Sequence, residues 1–128
     1  MDRGTPKTAR ILVVDDDENV AAALAEMLRL DGHQVDIAIN GNAALEQLRE
    51  GAYDVILSDM RMPGLDGPGL YRELQLQHPA LARRFIAYSG DMHHPSVQTF
   101  LEQTGVPRMV KPFTLAQVRC AVTNLAWT

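Results

Sequence analysis

One cysteine, Cys120, is the only thiol in 128 residues. No disulfide can form within the chain, and a reducing compartment suits it. Positive charge is also scarce. There are 12 lysines and arginines against 16 aspartates and glutamates, a formal net charge of −4. A nucleic-acid-binding domain ordinarily shows a basic face, so no direct nucleic-acid contact is expected. No apolar run approaches the roughly 20 residues that span a bilayer. The polar stretch Met1 to Arg10 lacks the apolar core of a secretory signal. The expectation is a cytoplasmic chain without a membrane segment. Internal repeats and low-complexity tracts are missing too. What is present, 46% hydrophobic and 22% charged residues, is the composition of one globular domain long enough to bury a core.

The apolar residues fall into two alternating patterns. Ile11-Leu12-Val13-Val14, Tyr53 to Ser58, Phe85 to Tyr88 and Val106 to Val110 are short apolar runs of the kind that form strands buried on both faces. Gln34 to Ala38 alternates and reads as a half-exposed strand near an edge. Between the runs, apolar residues recur at helical spacing. Val20, Leu24, Met27 and Leu28 form the first such stripe, and Ala44, Leu45 and Leu48 the second. Leu70, Tyr71 and Leu74 follow, ending at His78-Pro79. Then come Val97, Phe100 and Leu101, from about Pro95 to Thr104, and finally Leu115, Val118, Val122 and Leu125. Gly32, Gly51 and Gly105 sit where helices should stop. Residues 1–9 read as a lead-in or linker and residues 10–128 as the folded domain. Five strand–helix units in strict alternation predict an α/β fold, a doubly wound parallel sheet with helices on both faces.

In such a sheet, ligands bind beyond the carboxyl ends of the strands. Strand one ends in Asp15-Asp16-Asp17, strand three in Asp59, strand four in Ser89 and strand five in Lys111. Strand two contributes nothing evident. Each residue alone has an ordinary use: a helix cap, a strand end, a solvated charge. Together they bring carboxylates, a hydroxyl and an ammonium to one rim. The carboxylates cannot sit together ionised without a countercharge. Oxygen ligands, with no Cys or His at the rim, favour Mg²⁺ over zinc. A lysine and a hydroxyl beside that ion suit phosphoryl oxygens, and Asp59 becomes a candidate nucleophile for a phosphoryl group.

The segments ILVVDDD, VILSDMRMPGLDG, Ser89-Gly90 and VKPF jointly make the chain resemble a receiver domain of bacterial two-component response regulators, from Arg10 to about Leu125. The resemblance implies a flavodoxin-like (βα)5 fold with strand order 2-1-3-4-5. It implies that Asp59 is the phospho-acceptor and that Asp15 and Asp16 hold Mg²⁺ with Asp59. The third protein ligand would be the backbone carbonyl of Arg61. Ser89 and Lys111 would attend the phosphoryl group, and the Lys111-Pro112 bond would be cis. The phosphoryl donor would be a histidine kinase or a histidine phosphotransfer protein. A homodimer through the face of the fourth helix, fifth strand and fifth helix is a further implication. The Ser-Gly-Asp and Val-Pro segments look like those of hybrid histidine kinase receivers. The chain could equally be a stand-alone regulator.

Two departures stand out. Where the family has an aromatic three residues before the lysine, this chain has Arg108. It is expected outward and near a carboxylate, because a buried unpaired guanidinium is costly. Arg61 and Asp91 flank the expected phosphoryl site with opposite charges and are expected to pair across its entrance. The alternative is that Asp91 caps the fourth helix. Asp16 is expected to carry more metal affinity than Asp15, since adjacent strand residues point to opposite sides. An aspartyl phosphatase would need an acid at position 61, and a receiver that only binds partners would not need Asp16, Asp59 and Lys111. His93 and His94 read as solvated, Gly64, Gly67 and Gly69 do not form a dinucleotide fingerprint, and the methionines read as core or site lining.

Overall fold

The computed structural model describes residues 8–111 and 113–126. The expected lead-in lies largely outside the described residues, as do the cis Lys111-Pro112 bond and Trp127. In chain order the elements are β1 (Arg10–Val14), α1 (Glu18–Leu30), β2 (Gln34–Ala38), α2 (Gly41–Glu50) and β3 (Val55–Asp59). They continue with α3 (Gly67–Gln77), a one-turn α4 (Pro79–Ala82), β4 (Phe85–Ser89), α5 (Pro95–Thr104), β5 (Arg108–Val110) and α6 (Leu115–Ala126). The strands are parallel, in the order β2-β1-β3-β4-β5. The fourth and fifth helices of the sequence reading are thus α5 and α6. The turn α4 was not foreseen, because His78-Pro79 reads as a stop; Pro79 instead opens a new turn at the position where a missing N–H does no harm.

Period-two alternation divides the strand side chains between two cores. Ile11, Val13, Val55, Leu57, Ile86 and Tyr88 pack against Leu24 and Leu28 of α1 and Val118 and Val122 of α6. Leu12, Val14, Ile56, Phe85 and Ala87 pack on the other face against α2, α3, α4 and α5. There Tyr71, Phe85 and Phe100 meet edge to face, with centroids 5.1 to 6.3 Å apart. Strands β1, β3 and β4 are central and nearly fully buried, while β2 and β5 are edges with alternating exposure. β5 starts at Arg108 rather than Val106, because the ladder to β4 begins only at Ala87 opposite Arg108. β3 likewise begins at Val55, two residues after Tyr53. Leu45 is only half-buried; Ala44 and Leu48 carry the inner face of α2.

The helix starts face the rim formed by the carboxyl ends of the strands. Asp17 caps α1 through the N–H groups of Asn19 and Val20, Asn40 caps α2, and Asp66 caps α3. Thr114 and Gln117 form a reciprocal box at the start of α6, at 3.1 and 2.8 Å. Gly105 ends α5 with φ at +66°, a left-handed turn natural to glycine.

Candidate functional site

Strand register decides what meets at this rim. Val14, the last residue of β1, lies opposite Ser58, so the next residue, Asp15, comes level with Asp59, which lies opposite Tyr88. Asp15, Asp59, Tyr88 and Met109 therefore form one row across four strands, on the α1/α6 side. Asp15 and Asp59 are buried, and Asp16, the next residue, is exposed. Asp15, Asp16 and Asp59 bring carboxylate oxygens within 4.8 Å of one another. Lys111 Nζ lies 3.8 Å from both Asp15 Oδ2 and Asp59 Oδ2. One ammonium thus faces three carboxylates, and that excess negative charge is what a divalent cation offsets. An all-oxygen donor set beside an open cleft suits Mg²⁺, which keeps part of its water shell.

The local structure holds these groups in place. Ser58 Oγ donates to the Asp59 carbonyl at 2.9 Å, and the N–H of Met60 bonds to the Tyr88 carbonyl at 3.0 Å. The N–H of Gly67 returns to the Met60 carbonyl at 3.2 Å, docking the start of α3 under the end of β3. Asp15 accepts from the N–H of Asp17 at 2.9 Å and from the Tyr88 hydroxyl at 2.9 Å. Burial, and then the repulsion of Asp15, raises Asp59 to about 6; Lys111 and the N–H of Arg61 oppose that rise. Burial and the adjacent Asp15 push the Tyr88 phenol far above its ordinary range, so it remains a donor.

Asp59 opens into a cleft of about 670 Å³ lined also by Arg61, Pro63, Ser89, Asp91 and Lys111. Ser89 is buried, and its Oγ accepts from the N–H of Asp91 at 3.0 Å. Arg61 and Asp91 pair at 3.6 Å, both half-exposed. Asp91 does not cap the following helix; His94 does, accepting through Nδ1 from the N–H of Ser96 at 3.3 Å. His94 is partly exposed and also borders the cleft. Arg108 points outward as expected, but its partner is the Leu101 carbonyl at 3.5 Å rather than a carboxylate. That carbonyl belongs to the last turn of α5, where the helix end carries partial negative charge. Tyr88 was read as strand packing alone. Its parity with Ile86, on the face that Asp15 shares with Val13, is the signal that could have found it.

A family model described as the response regulator receiver domain matches residues 11–123. The chain belongs to that family. Receiver domains accept a phosphoryl group on an aspartate in two-component signalling, and they work with histidine kinases or phosphotransfer proteins and with output domains. They are not turnover enzymes in the ordinary sense. This receiver is 32% identical over 120 residues to the sensor kinase CckA of Brucella abortus, covering 92% of the chain and 12% of that protein. It is 39% identical over 106 residues to the transcriptional regulatory protein ZraR of Escherichia coli K12, covering 80% of the chain and 23% of that protein. The receiver thus spans only a small part of these relatives. A solved receiver domain from a Pseudomonas aeruginosa PAO1 sensor histidine kinase superimposes with a TM-score of 0.83 at 27% identity, covering 95% of this chain and all of that one. That structure has a magnesium ion coordinated in its active site cleft. The flavodoxin-like fold of the sequence reading is the fold observed. Among the described residues, no helix is long and apolar enough to cross a membrane.

Proposed function

We propose that Asp59 is the phospho-acceptor of this receiver. Asp15, Asp16 and Asp59, with the carbonyl of Arg61, would hold Mg²⁺, and Lys111 and Ser89 would receive the phosphoryl oxygens. The observation that carries this reading is the position of Asp59. It is a buried carboxylate at the mouth of a central strand, open to a cleft that Lys111 also lines and 3.8 Å from that ammonium. The donor is a phosphohistidine of a histidine kinase or histidine phosphotransfer protein. A carboxylate oxygen of Asp59 attacks phosphorus, forming an O–P bond as the N–P bond breaks. The electron pair of that bond returns to the imidazole. With its titration near 6, Asp59 is mostly ionised at neutral pH and ready to attack. Bound Mg²⁺ supplies positive charge that the carboxylates and the transferring group both need.

Lys111 neutralises the equatorial oxygens and keeps its contact with Asp15. The chain assists its own phosphorylation in this way, through positioning and fixed charge. The Ser89 hydrogen is available to donate, because in the contact with Asp91 the hydroxyl oxygen accepts. Drawing that hydroxyl to a phosphoryl oxygen would pull residues 89–91 and shift the population toward an active surface. The face of α5, β5 and α6, where Val110 on an edge strand is 53% exposed, would carry a homodimer in that state. Light scattering with and without a small phospho-donor checks the dimer.

The central test is intact mass after incubation with Mg²⁺ and acetyl phosphate. One added phosphate is expected, absent in EDTA and absent in Asp59→Asn. Full labelling of Asp59→Asn would remove the assignment.

A further inference from the structure

We propose that Tyr88 is a positioning residue of the acidic site, with its hydroxyl holding Asp15 and the face of its ring holding Lys111. The proposal rests on the reading of Asp15, Asp16 and Asp59 as a Mg²⁺ site and goes beyond it. Register places Tyr88 in the same cross-strand row as Asp59, and parity turns its ring to the side where Asp15 and Lys111 lie. From β4 the phenol reaches past β3 to the end of β1. Its hydroxyl lies 2.9 Å from Asp15 Oδ2 and 3.4 Å from the Val14 carbonyl. One hydroxyl hydrogen serves the closer, charged acceptor better.

The other oxygen of Asp15 is taken as well, by the N–H of Asp17 at 2.9 Å. The Asp15 carboxylate is therefore held at both oxygens, each keeping lone-pair capacity for a cation or its water. The ring itself has little freedom. It is fully buried in the α1/α6 core and meets Phe113 edge on, with centroids 5.7 Å apart. The ammonium of Lys111 lies 5.3 Å from the centre of the same ring, within range of a cation–π attraction. One rigid side chain thus touches an acid of the cluster and the lysine beside it. Nothing about packing requires the hydroxyl: phenylalanine would fill nearly the same volume. A group already held in its binding geometry loses less freedom on binding, and outer hydrogen bonds to metal-binding side chains commonly change metal affinity about 10–100-fold.

The test compares wild type with Tyr88→Phe. Calorimetric titration with MgCl₂ should show affinity weakened roughly tenfold, while melting in EDTA shows a folded variant. At saturating Mg²⁺, labelling of Asp59 by acetyl phosphate should stay within about twofold, because the ring still faces Lys111. In an Asp15→Asn background the same change should add little, since the hydroxyl acts through Asp15. A Tyr88→Phe variant that binds Mg²⁺ like wild type would overturn the proposal, and so would an equal loss in the Asp15→Asn background. A second measurement does not depend on the variant folding. Fluorine NMR of wild type carrying 3-fluorotyrosine at its three tyrosines should show the Tyr88 resonance moving with the calorimetric affinity. A buried fluorotyrosine signal unmoved by saturating Mg²⁺ would overturn it too. Wild type that neither binds Mg²⁺ nor takes label would instead defeat the underlying reading, and the role of Tyr88 with it.

Discussion

Asp59 is pulled in two directions by its surroundings. Burial and Asp15 disfavour its charge, while attack on phosphorus needs that charge. Because its folded-state value near 6 lies above the ordinary 3.8, the folded chain binds the extra proton between those limits. Stability without metal should therefore fall as pH rises from about 4 to about 6. Asp59→Asn should melt higher than wild type in EDTA at pH 7.5, by on the order of 1–2 kcal/mol after screening at the cleft mouth. Near pH 4 the gain should vanish. A pH series of thermal melts checks both points. Asp16 and Asp17 separate metal from cap. Asp16→Ala should weaken Mg²⁺ binding strongly with little change in melting in EDTA. Asp17→Ala should cost about 1 kcal/mol of stability through the lost cap and leave affinity nearly intact; equal losses of affinity would contradict this. Arg61 and Asp91 form an exposed pair across the entrance, worth at most about 1 kcal/mol. Removing either should shorten the phospho-state lifetime several-fold, and the double variant should add less than the sum. Decay of labelled protein after donor removal measures it.

The elements matter through how closely they approach one another at the rim. Gly67, the first residue of α3, sits against the end of β3. A Cβ there would lie 2.8 Å from the Asp59 carbonyl oxygen and 2.9 Å from Met60 Cα, both backbone atoms that cannot swing aside. Gly67→Ala should therefore cost about 1–3 kcal/mol and slow labelling of Asp59 by displacing it. Gly105→Ala makes the informative contrast. It strains a left-handed cap and should also cost about 1 kcal/mol, but it lies at the opposite end of α5, with nothing crowding it. Chemical denaturation and labelling rates on the two variants check this. Similar labelling in both would mean that the close approach of α3 does not shape the site. On the far edge, Arg108 binding a helix-end carbonyl leaves the usual aromatic position without a ring. β5, Arg108–Val110, offers no aromatic that could follow Ser89.

For the whole molecule, the excess of carboxylates at one rim means that metal and fold should stabilise each other. A ligand present at 100 times its dissociation constant adds about 2.7 kcal/mol, which for a domain of this size raises the melting temperature by roughly 10 °C. Wild type should show such a rise on adding Mg²⁺ and lose it in EDTA. Asp16→Ala should show little of it at the same Mg²⁺ concentration. Melting curves across a Mg²⁺ series measure the effect; a flat series in wild type would contradict it. The bidentate Asp31–Arg119 contact, 2.8 Å at each nitrogen, ties α1 to α6 at the opposite end.

Much of this was legible in the chain because it depends on neighbours in sequence. Apolar spacing of two or of three to four reports which side chains share a face within one element. A parallel sheet then sends every strand's carboxyl end to one rim, so Asp15, Asp16, Asp59, Ser89 and Lys111 could be gathered without coordinates. Register could not be read this way. That Asp59 stands opposite Tyr88, and that Asp15 ends level with it, comes from pairing between strands far apart in sequence. The burial of Asp15 against the exposure of Asp16 is an outcome of the same kind, while the choice of His94 over Asp91 as a cap and the carbonyl partner of Arg108 are set nearer in sequence by backbone geometry. Local periodicity is indifferent to them: a phenol at position 88 satisfies the strand pattern whether its hydroxyl meets a carboxylate or only apolar atoms. Only the packing of β1 and β4 on either side of β3 decided that it meets Asp15.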